Sequence, residues 1–442
     1  MGEIGDWIEC LRNGGLDTRL AAVYGCEPSE TGPYAARLMH VLQQFSAVFD
    51  EGEPVAANAG KDSLALFSAP GRTEIGGNHT DHQHGHVLAA SVNLDIIAAA
   101  RPNGTQQIRL QSEGFAMSVV DLTDLNPLPS EENHSNALIR GVAARFHQLG
   151  YSVAGFDAYM ASNVLQGSGL SSSAAFEVLI GNIINTLFAD SQVDPVTIAK
   201  IGQYAENVHY GKPCGLMDQM ASAVGGIIAI DFGDPAQPVV DPVDFDFAGS
   251  GMALCIIDSG AEHGDLTDEY AAIPREMKAV ARQFGMDYLR QVDESVLLAN
   301  LATVRQVTGD RAVLRALHYF ADDRRVALQS DALRRQDSAL FKQLVLESGR
   351  SSIACLQNIV ATGSIEEQSV ALVLALCERS LAPVGGAWRV HGGGFAGTVQ
   401  AFVPRDHVAE FKQIVEQAFG PGSCHVLTIR PVGGCCLANG LP

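Results

Sequence analysis

QGSGLSSSAA at residues 166–175, running directly into FEVLIGNIINTLF at 176–188, joins a run of small residues to a strongly apolar helical stretch. Upstream, Phe156–Ser162 reads as a strand, so the small residues fall between strand and helix. Glycines let a backbone approach a polyphosphate closely, and successive N–H groups can converge on its oxygens. A helix beginning near Ser172 adds the partial positive charge of its N-terminus. Serine hydroxyls can bond phosphate or ligate Mg²⁺, a hard cation that favours oxygen. A glycine turn followed by a serine helix cap fits the local composition equally well. The chain contains no GxxxxGK[ST] pattern, so this is not a Walker A loop.

A second glycine-rich segment, Gly392-Gly393-Gly394-Phe395-Ala396-Gly397, formally matches GxGxxG. A dinucleotide fold needs a helix to start there. Instead TVQAFV at 398–403 reads as a strand, and the dinucleotide reading fails its own context. A third segment, APGRTEIGGNHTDHQHGH at 69–86, concentrates Arg72, Glu74, Asn78, His79, Thr80 and Asp81 between apolar runs. Such donors and acceptors suit a hydroxyl-rich ligand such as a sugar, and equally an exposed connecting loop. His82, His84 and His86 alternate and would share one face of a strand. Without cysteines or further histidines beside them, a solvated turn reads better than a metal site.

Around these motifs the chain has 442 residues, 47% hydrophobic and 18% charged, a globular composition with room for two domains. Its 29 basic and 50 acidic residues leave a net charge of −21. That field disfavours nucleic acid and anionic membrane surfaces, although backbone N–H groups can still build a local anion pocket. Nine scattered cysteines form no CxxC pair, so neither a disulfide framework nor a zinc ribbon is expected. MGEIGDWIECLRNGG has no basic, apolar leader pattern, and no apolar run is long enough to span a bilayer. A cytoplasmic location is the expectation. Residues 1–60 read as a largely helical extension, with the Pro-rich 233–246 passage as the best domain boundary. The expected division is 1–60, 61–245 and 246–442, in an α+β mixture that is β-rich early and helix-rich later.

Three segments together resemble the GHMP kinases, and the galactokinase subgroup most closely. They are Gly71-Arg72 through Asn78-His79-Thr80-Asp81 to Gly85, then GSGLSSSAAFE at 167–177 with AEN at 205–207 and CGLMDQ at 214–219, and finally GGAWRVHGGGFAGTVQAFV at 385–403. The resemblance implies a two-domain fold, ribosomal-protein-S5-domain-2-like at the N-terminal side and ferredoxin-like at the C-terminal side, with the site between them. It implies transfer of the γ-phosphate of ATP, with Mg²⁺, to the anomeric hydroxyl of a hexose. Asp218 would then be the catalytic aspartate and Arg72 its cationic partner. Ser173 and Glu206 would hold Mg²⁺, while Gly167, Ser168, Gly169, Leu170, Ser171, Ser172 and Ser173 would cradle the phosphates. Asn78, His79, Thr80, Asp81 and Tyr270 would face the sugar.

Several positions depart from that pattern. Asn78 stands where the subgroup usually has glutamate, Glu74 where it has asparagine, His82 where it has tyrosine, and Leu165 where a proline often precedes the phosphate loop. His391 replaces a threonine, Ala396 replaces a glycine, and the N-terminal stretch is longer than usual. An amide in place of a carboxylate removes a charge and adds two donors. A uronic acid would meet less repulsion there; galactose is nonetheless the expected substrate, with galacturonate, N-acetylgalactosamine or another sugar as alternatives. A non-catalytic sugar sensor is the rival from another class, and the intact Gly169–Ala175 run with Arg72, Glu206 and Asp218 speaks against it. Oligomeric state is not legible.

Overall fold

Unbroken burial along Ala65–Gly76 (β1) and along most of His86–Pro102 (β2) means that these strands are covered on both faces. The computed structural model describes residues 3–50, 64–164, 169–212, 214–247, 249–260 and 266–441. β1 and β2 are central to a mixed sheet with Gln107–Ser112 (β3), Ser118–Asp121 (β4), Phe156–Ser162 (β5), Ile227–Asp231 (β6) and Val239–Pro242 (β7). Its order is β12-β1-β2-β5-β3-β4, where β12 is Cys435–Asn439, and β6 and β7 extend from β2. Every pairing is antiparallel except β3 with β5.

The two-residue period of the strands divides the apolar side chains between two layers. Ala65, Phe67, Ala98, Ala100 and Ala158 face the main core. There they meet Ser135–Gln148 (α4), Ser172–Phe188 (α5), Pro195–Tyr204 (α6) and Met217–Val224 (α7), through residues such as Phe146, Val178, Ile183, Ile201 and Met220. Leu66, Ile97, Ala99, Tyr159 and Ala161 point the other way. They are covered by Glu3–Arg12 (α1), Asp17–Tyr24 (α2) and Gly32–Phe49 (α3), through Leu20, Leu38, Val41, Leu42 and Phe45. Each such side chain gains about 1.5–3 kcal/mol from burial. That gain explains why the helical extension folds onto the sheet rather than trailing from it.

A second, fully antiparallel sheet contains Met252–Asp258 (β8), Ala387–Val390 (β9), Thr398–Pro404 (β10) and Cys424–Leu427 (β11), in the order β11-β8-β10-β9. In chain order this is 4-1-3-2, the ferredoxin-like arrangement. The helices Thr267–Arg282 (α8), Glu294–Ala299 (α9), Leu301–Thr308 (α10), Asp310–Arg334 (α11), Ser338–Ser351 (α12) and Ser369–Leu381 (α13) lie between β8 and β9. Val408–Phe419 (α14) connects β10 to β11.

Within the 246–442 stretch, β12 returns to the first sheet and pairs with β1 through Ala65↔Asn439 and Ser68↔Cys435. The polar stretch after residue 69 begins as strand, not loop: β1 continues through Pro70, Arg72 and Glu74. Its register on β2 slips between Pro70 and Arg72 and again between Glu74 and Gly76. Such bulges re-aim side chains at the end of a strand. No helix among the described residues is long and apolar enough to cross a membrane.

Candidate active site

Asp218 lies in the first turn of α7, where the helix dipole favours a carboxylate. Arg72 of β1 grips it in a fork, with Nε to Oδ1 and Nη2 to Oδ2 both at 2.8 Å. The third guanidinium nitrogen donates to the Gly169 carbonyl, and the Arg72 backbone N–H donates to Leu170 O at 3.1 Å. This contact explains Gly71, where a Cβ would sit 2.8 Å from the same carbonyl oxygen. Ser171 holds a left-handed backbone with φ 56° just before α5, and its hydroxyl donates to Asp218 Oδ2. Burial alone would push the Asp218 carboxyl up; Arg72 and then Ser171 outweigh it and hold the carboxyl below its ordinary range. One third of the Asp218 side chain remains exposed. It is an ionised carboxylate with a fixed orientation and an open side.

Beside this pair lies a cavity of about 670 Å³. Ile96, Leu110, Phe115, Leu138, Met160 and Phe176 line it with apolar surface; Glu113, Asn163, Ser172, Ser173, Glu206 and Lys212 are among its polar groups. A flat apolar ring bearing an anionic chain matches that division. Gly169, with φ +69°, opens the described part of the small-residue run. Gly167 and Ser168, with Leu165, lie outside the described residues.

Glu206 sits in a π-helical turn, Ala205–Tyr210, that continues α6. Single π turns of this kind are frequent at functional sites. Its Oε2 accepts from Gln219 Nε2 at 2.9 Å, and the same nitrogen donates to Glu177 Oε2 at 3.0 Å. Glu177 Oε1 has no hydrogen-bond partner. Burial first, and the Glu206 charge second, push Glu177 well above the usual carboxylate range. Lys212 Nζ lies 3.9 Å from Glu206 Oε1. Glu206 and Ser173 therefore offer hard oxygens at the wall of the cavity, the donor type that suits Mg²⁺. Among the described residues no cluster of three His, Cys, Asp or Glu groups could cage a metal. A cation here would complete its shell with phosphate and water oxygens, as Mg²⁺ does in nucleotide sites. The sequence reading missed Gln219 and Glu177; Gln219 is next to Asp218 and Glu177 lies inside the quoted GSGLSSSAAFE, yet the bonds that join them to each other and to Glu206 link residues 42 and 13 positions apart.

The expected sugar-facing residues separate into two groups. Asp81 lies beside the CGLMDQ turn, since a Cβ on Gly215 would meet its Oδ2 at 2.8 Å. His79, left-handed with φ 61°, contacts the Gly393 carbonyl through Nε2 at 3.0 Å. Burial, then the neighbouring His82, push it down to about 4, so it is neutral near pH 7. Tyr270 donates its hydroxyl to Gly394 O at 2.9 Å, and burial pushes that phenol up to about 12. Its ring lies against Gly393, where a Cβ would stand 2.5 Å from Tyr270 Cε1. Gly393→Ala is accordingly expected to displace the Tyr270 ring; with Tyr270 facing the sugar, as the family resemblance implies, the sugar KM would rise while that for the phosphoryl donor stays unchanged, which steady-state kinetics checks.

Asn78 and Thr80 are fully buried and turned into protein. The Asn78 amide donates to Glu74 Oε1 at 3.1 Å and Gly392 O at 2.7 Å, and its oxygen accepts from Asn358 Nδ2 at 2.8 Å. Thr80 Oγ1 donates to Gly77 O or His86 O, closing the turn. Glu74 is neutralised by Arg389, whose Nη2 lies 2.5 Å from Oε1. His391 accepts the Glu74 backbone N–H at Nε2, so its proton is on Nδ1, which donates to Thr398 Oγ1 at 2.9 Å.

The remaining histidines scatter. His82 is exposed beside Asp81, His84 stacks on Tyr288 with ring centroids 3.7 Å apart, and His86 opens β2 between two carboxylates. His86 meets Asp323 at 3.0 Å and Asp231 at 3.2 Å. The Asp323 hydrogen bond raises its affinity for a proton, burial opposes, and the charges of Asp323 and Asp231 add to the rise. Its stabilising contribution is complete below the unfolded value of about 6.5 and is lost as pH climbs through the higher folded value. Thermal melts are expected to fall more steeply above about pH 6.5 for the unaltered chain than for His86→Gln.

The family model described as GHMP kinases N terminal domain matches residues 137–226, and that described as galactokinase galactose-binding signature matches residues 56–102. A galactokinase from Streptomyces coelicolor is 30% identical over 381 residues, covering 83% of this chain and 94% of that protein. Among solved structures, Lactococcus lactis galactokinase complexed with galactose superposes with a TM-score of 0.75 at 22% identity, over 90% of this chain and 99% of its own. The Methanococcus jannaschii mevalonate kinase gives 0.59 at 13% identity, over 83% and 98%. These last two likenesses carry the fold.

Proposed function

Because the chain belongs to the galactokinase family of the GHMP kinases, and is thus a sugar kinase, we propose that it transfers the γ-phosphoryl group of ATP to the anomeric hydroxyl of galactose. The observation that carries this reading is the fork between Arg72 and Asp218, tied through Gly169 and Ser171 to the small-residue loop. Those contacts join the residue that would handle the acceptor hydroxyl to the backbone that would hold the phosphates.

In this reading the cavity takes the nucleotide, its apolar wall the purine and its polar end the phosphates. Ser173 and Glu206 would hold Mg²⁺, which would supply charge neutralisation at the phosphates. Gly169 to Ser173 would cradle the phosphate chain at the N-terminus of α5; Gly167 and Ser168 precede them in sequence, outside the described residues. Asp218 accepts or orients the proton of the attacking hydroxyl. Arg72 keeps Asp218 ionised and aimed, and can steady charge on the transferring group. Phosphoryl transition states are loose, so orientation and charge neutralisation outweigh full deprotonation. In this reading Asp81, His79 and Tyr270 would contact the sugar.

The neutral Asn78 had left room for a uronic acid. Both of its amide donors are already taken by Glu74 and Gly392 O, leaving none for a substrate carboxylate. That favours galactose over galacturonate. Coupled ADP release over galactose, galacturonate, N-acetylgalactosamine, mevalonate and homoserine is the test. ADP formation that requires galactose supports the proposal; a preference for another acceptor replaces the sugar, and no ADP from any acceptor overturns the proposal in favour of the non-catalytic sugar sensor.

A further inference from the structure

Arg37 and His40 are three residues apart on α3 and so share one face of that helix. Each reaches toward one side of the 670 Å³ cavity. Arg37 Nη1 lies 2.6 Å from Asp95 Oδ1, and Asp95 is completely buried in β2. The other Asp95 oxygen accepts from Tyr24 Oη at 2.5 Å, Ser68 Oγ at 2.5 Å and Arg430 Nη1 at 3.1 Å. The backbone of Asp95 is clasped in both directions by Asn163: its N–H donates to Asn163 Oδ1 at 2.6 Å, and its carbonyl accepts from Asn163 N at 3.1 Å. Asn163 lines the cavity one residue beyond β5. On the other side, His40 Nε2 meets Glu113 Oε1 at 2.5 Å, and Glu113 lines the same cavity just past β3. Glu113 N donates to Met160 O at 2.9 Å, so β5 runs between the two anchor points.

We infer that the N-terminal helical layer positions the nucleotide site, with Arg37 and Tyr24 fixing Asn163 through Asp95 and His40 fixing Glu113. The inference rests on reading the cavity as the nucleotide site. None of these helix residues touches the cavity, so they are positioning residues and not catalytic ones. Four donors on one buried carboxylate leave it a single orientation, since any rotation would strand a buried charge. Asn163, clasped to its backbone, then has one position as well. The His40–Glu113 pair is exposed and contributes little to stability. Its effect is to hold the rim of the cavity in one place.

The full-length chain is tested as Arg37→Met, His40→Ala and Tyr24→Phe, singly and with the first two combined, with ATP affinity read by titration calorimetry and KM read separately for ATP and sugar. Asp50→Asn serves as the control, because Asp50, at the C-terminal end of α3, pairs with Arg101 at the end of β2 remote from Asp95 and Asn163. The combined variant is expected to weaken ATP binding and raise its KM by about three- to tenfold, within the range for remote coupling through packed residues. The sugar KM stays within about twofold, and Asp50→Asn changes neither constant. Unchanged ATP affinity in the combined variant overturns the inference, as does an equal rise in both KM values, which would mark general loosening. Absence of ATP binding by the unaltered chain would instead overturn the nucleotide reading beneath it.

Discussion

Asp218→Asn is expected to lower kcat and kcat/KM together by about 10²–10⁴-fold, the usual worth of a positioned acid–base group. Asparagine keeps the shape and still accepts one hydrogen bond from Arg72, but carries no charge and cannot take a proton. Sugar and ATP KM values stay close to those of the unaltered enzyme, because the substitution touches only the interaction with the reacting hydroxyl. The folded state persists, since the side chain is one third exposed and Arg72 keeps its bond to Gly169 O; circular dichroism and a melting curve check this. The pH profile gives a second, independent reading. Arg72 and Ser171 hold the Asp218 carboxyl low against its burial, so the acid limb of kcat/KM falls below the ordinary aspartate range. In Arg72→Met burial loses its main opponent and the limb moves to higher pH. The same linkage makes the ionised Asp218 a source of stability above the unfolded aspartate value, lost as pH falls through the lower folded one. Near-normal turnover by Asp218→Asn would remove the catalytic assignment.

The parts of the site legible in the sequence were those that depend on residue type within one short segment. A phosphate cradle needs glycine and serine beside a helix start, and residues 166–188 carry all three features. The failed dinucleotide reading of 392–397 was settled the same way, and β10 does begin at Thr398. Arg72 and Asp218 are 146 positions apart, and no local pattern pairs them; the resemblance to the GHMP kinases did. Buried polar contacts between distant segments stayed invisible. Nothing in TEIGGN announces that Glu74 is bound to Arg389, 315 residues away, or that Asn78 spends both donors inside the protein. The helices of residues 3–50 were legible from their apolar spacing, but their partner was not, because the second face of β1, β2 and β5 becomes apparent only when the sheet is assembled. The return of β12 to β1 escaped for the same reason: a five-residue strand carries no record of which sheet it joins.

The second large effect is on stability, at the other end of the site. Arg389 is wholly buried and donates to Glu74 Oε1 at 2.5 Å, Ile75 O at 3.0 Å and Val390 O at 3.0 Å. Arg389→Met preserves much of the volume but takes the Arg389 donor from two carbonyls and leaves the buried Glu74 carboxylate with the neutral Asn78 amide and without its cation. Breaking such a pair from one side costs about 3–5 kcal/mol, more than the pair itself is worth. Urea titration is expected to show a midpoint lowered by a corresponding amount. The deficit depends on pH with a definite sign. Burial already pushes Glu74 up, and Arg389, then Arg72, counter only part of that rise. With Arg389 gone the folded carboxyl holds its proton to still higher pH, so the cost is largest above the unfolded glutamate value and shrinks as the solution becomes acidic. Glu74→Gln added to Arg389→Met removes the stranded charge and is expected to recover part of the loss, because a buried pair replaced on both sides is often nearly neutral. Such recovery would show that Glu74 and Arg389 act as one unit holding β1 to β9. An Arg389→Met variant that unfolds at the same urea concentration as the unaltered chain would show that they do not.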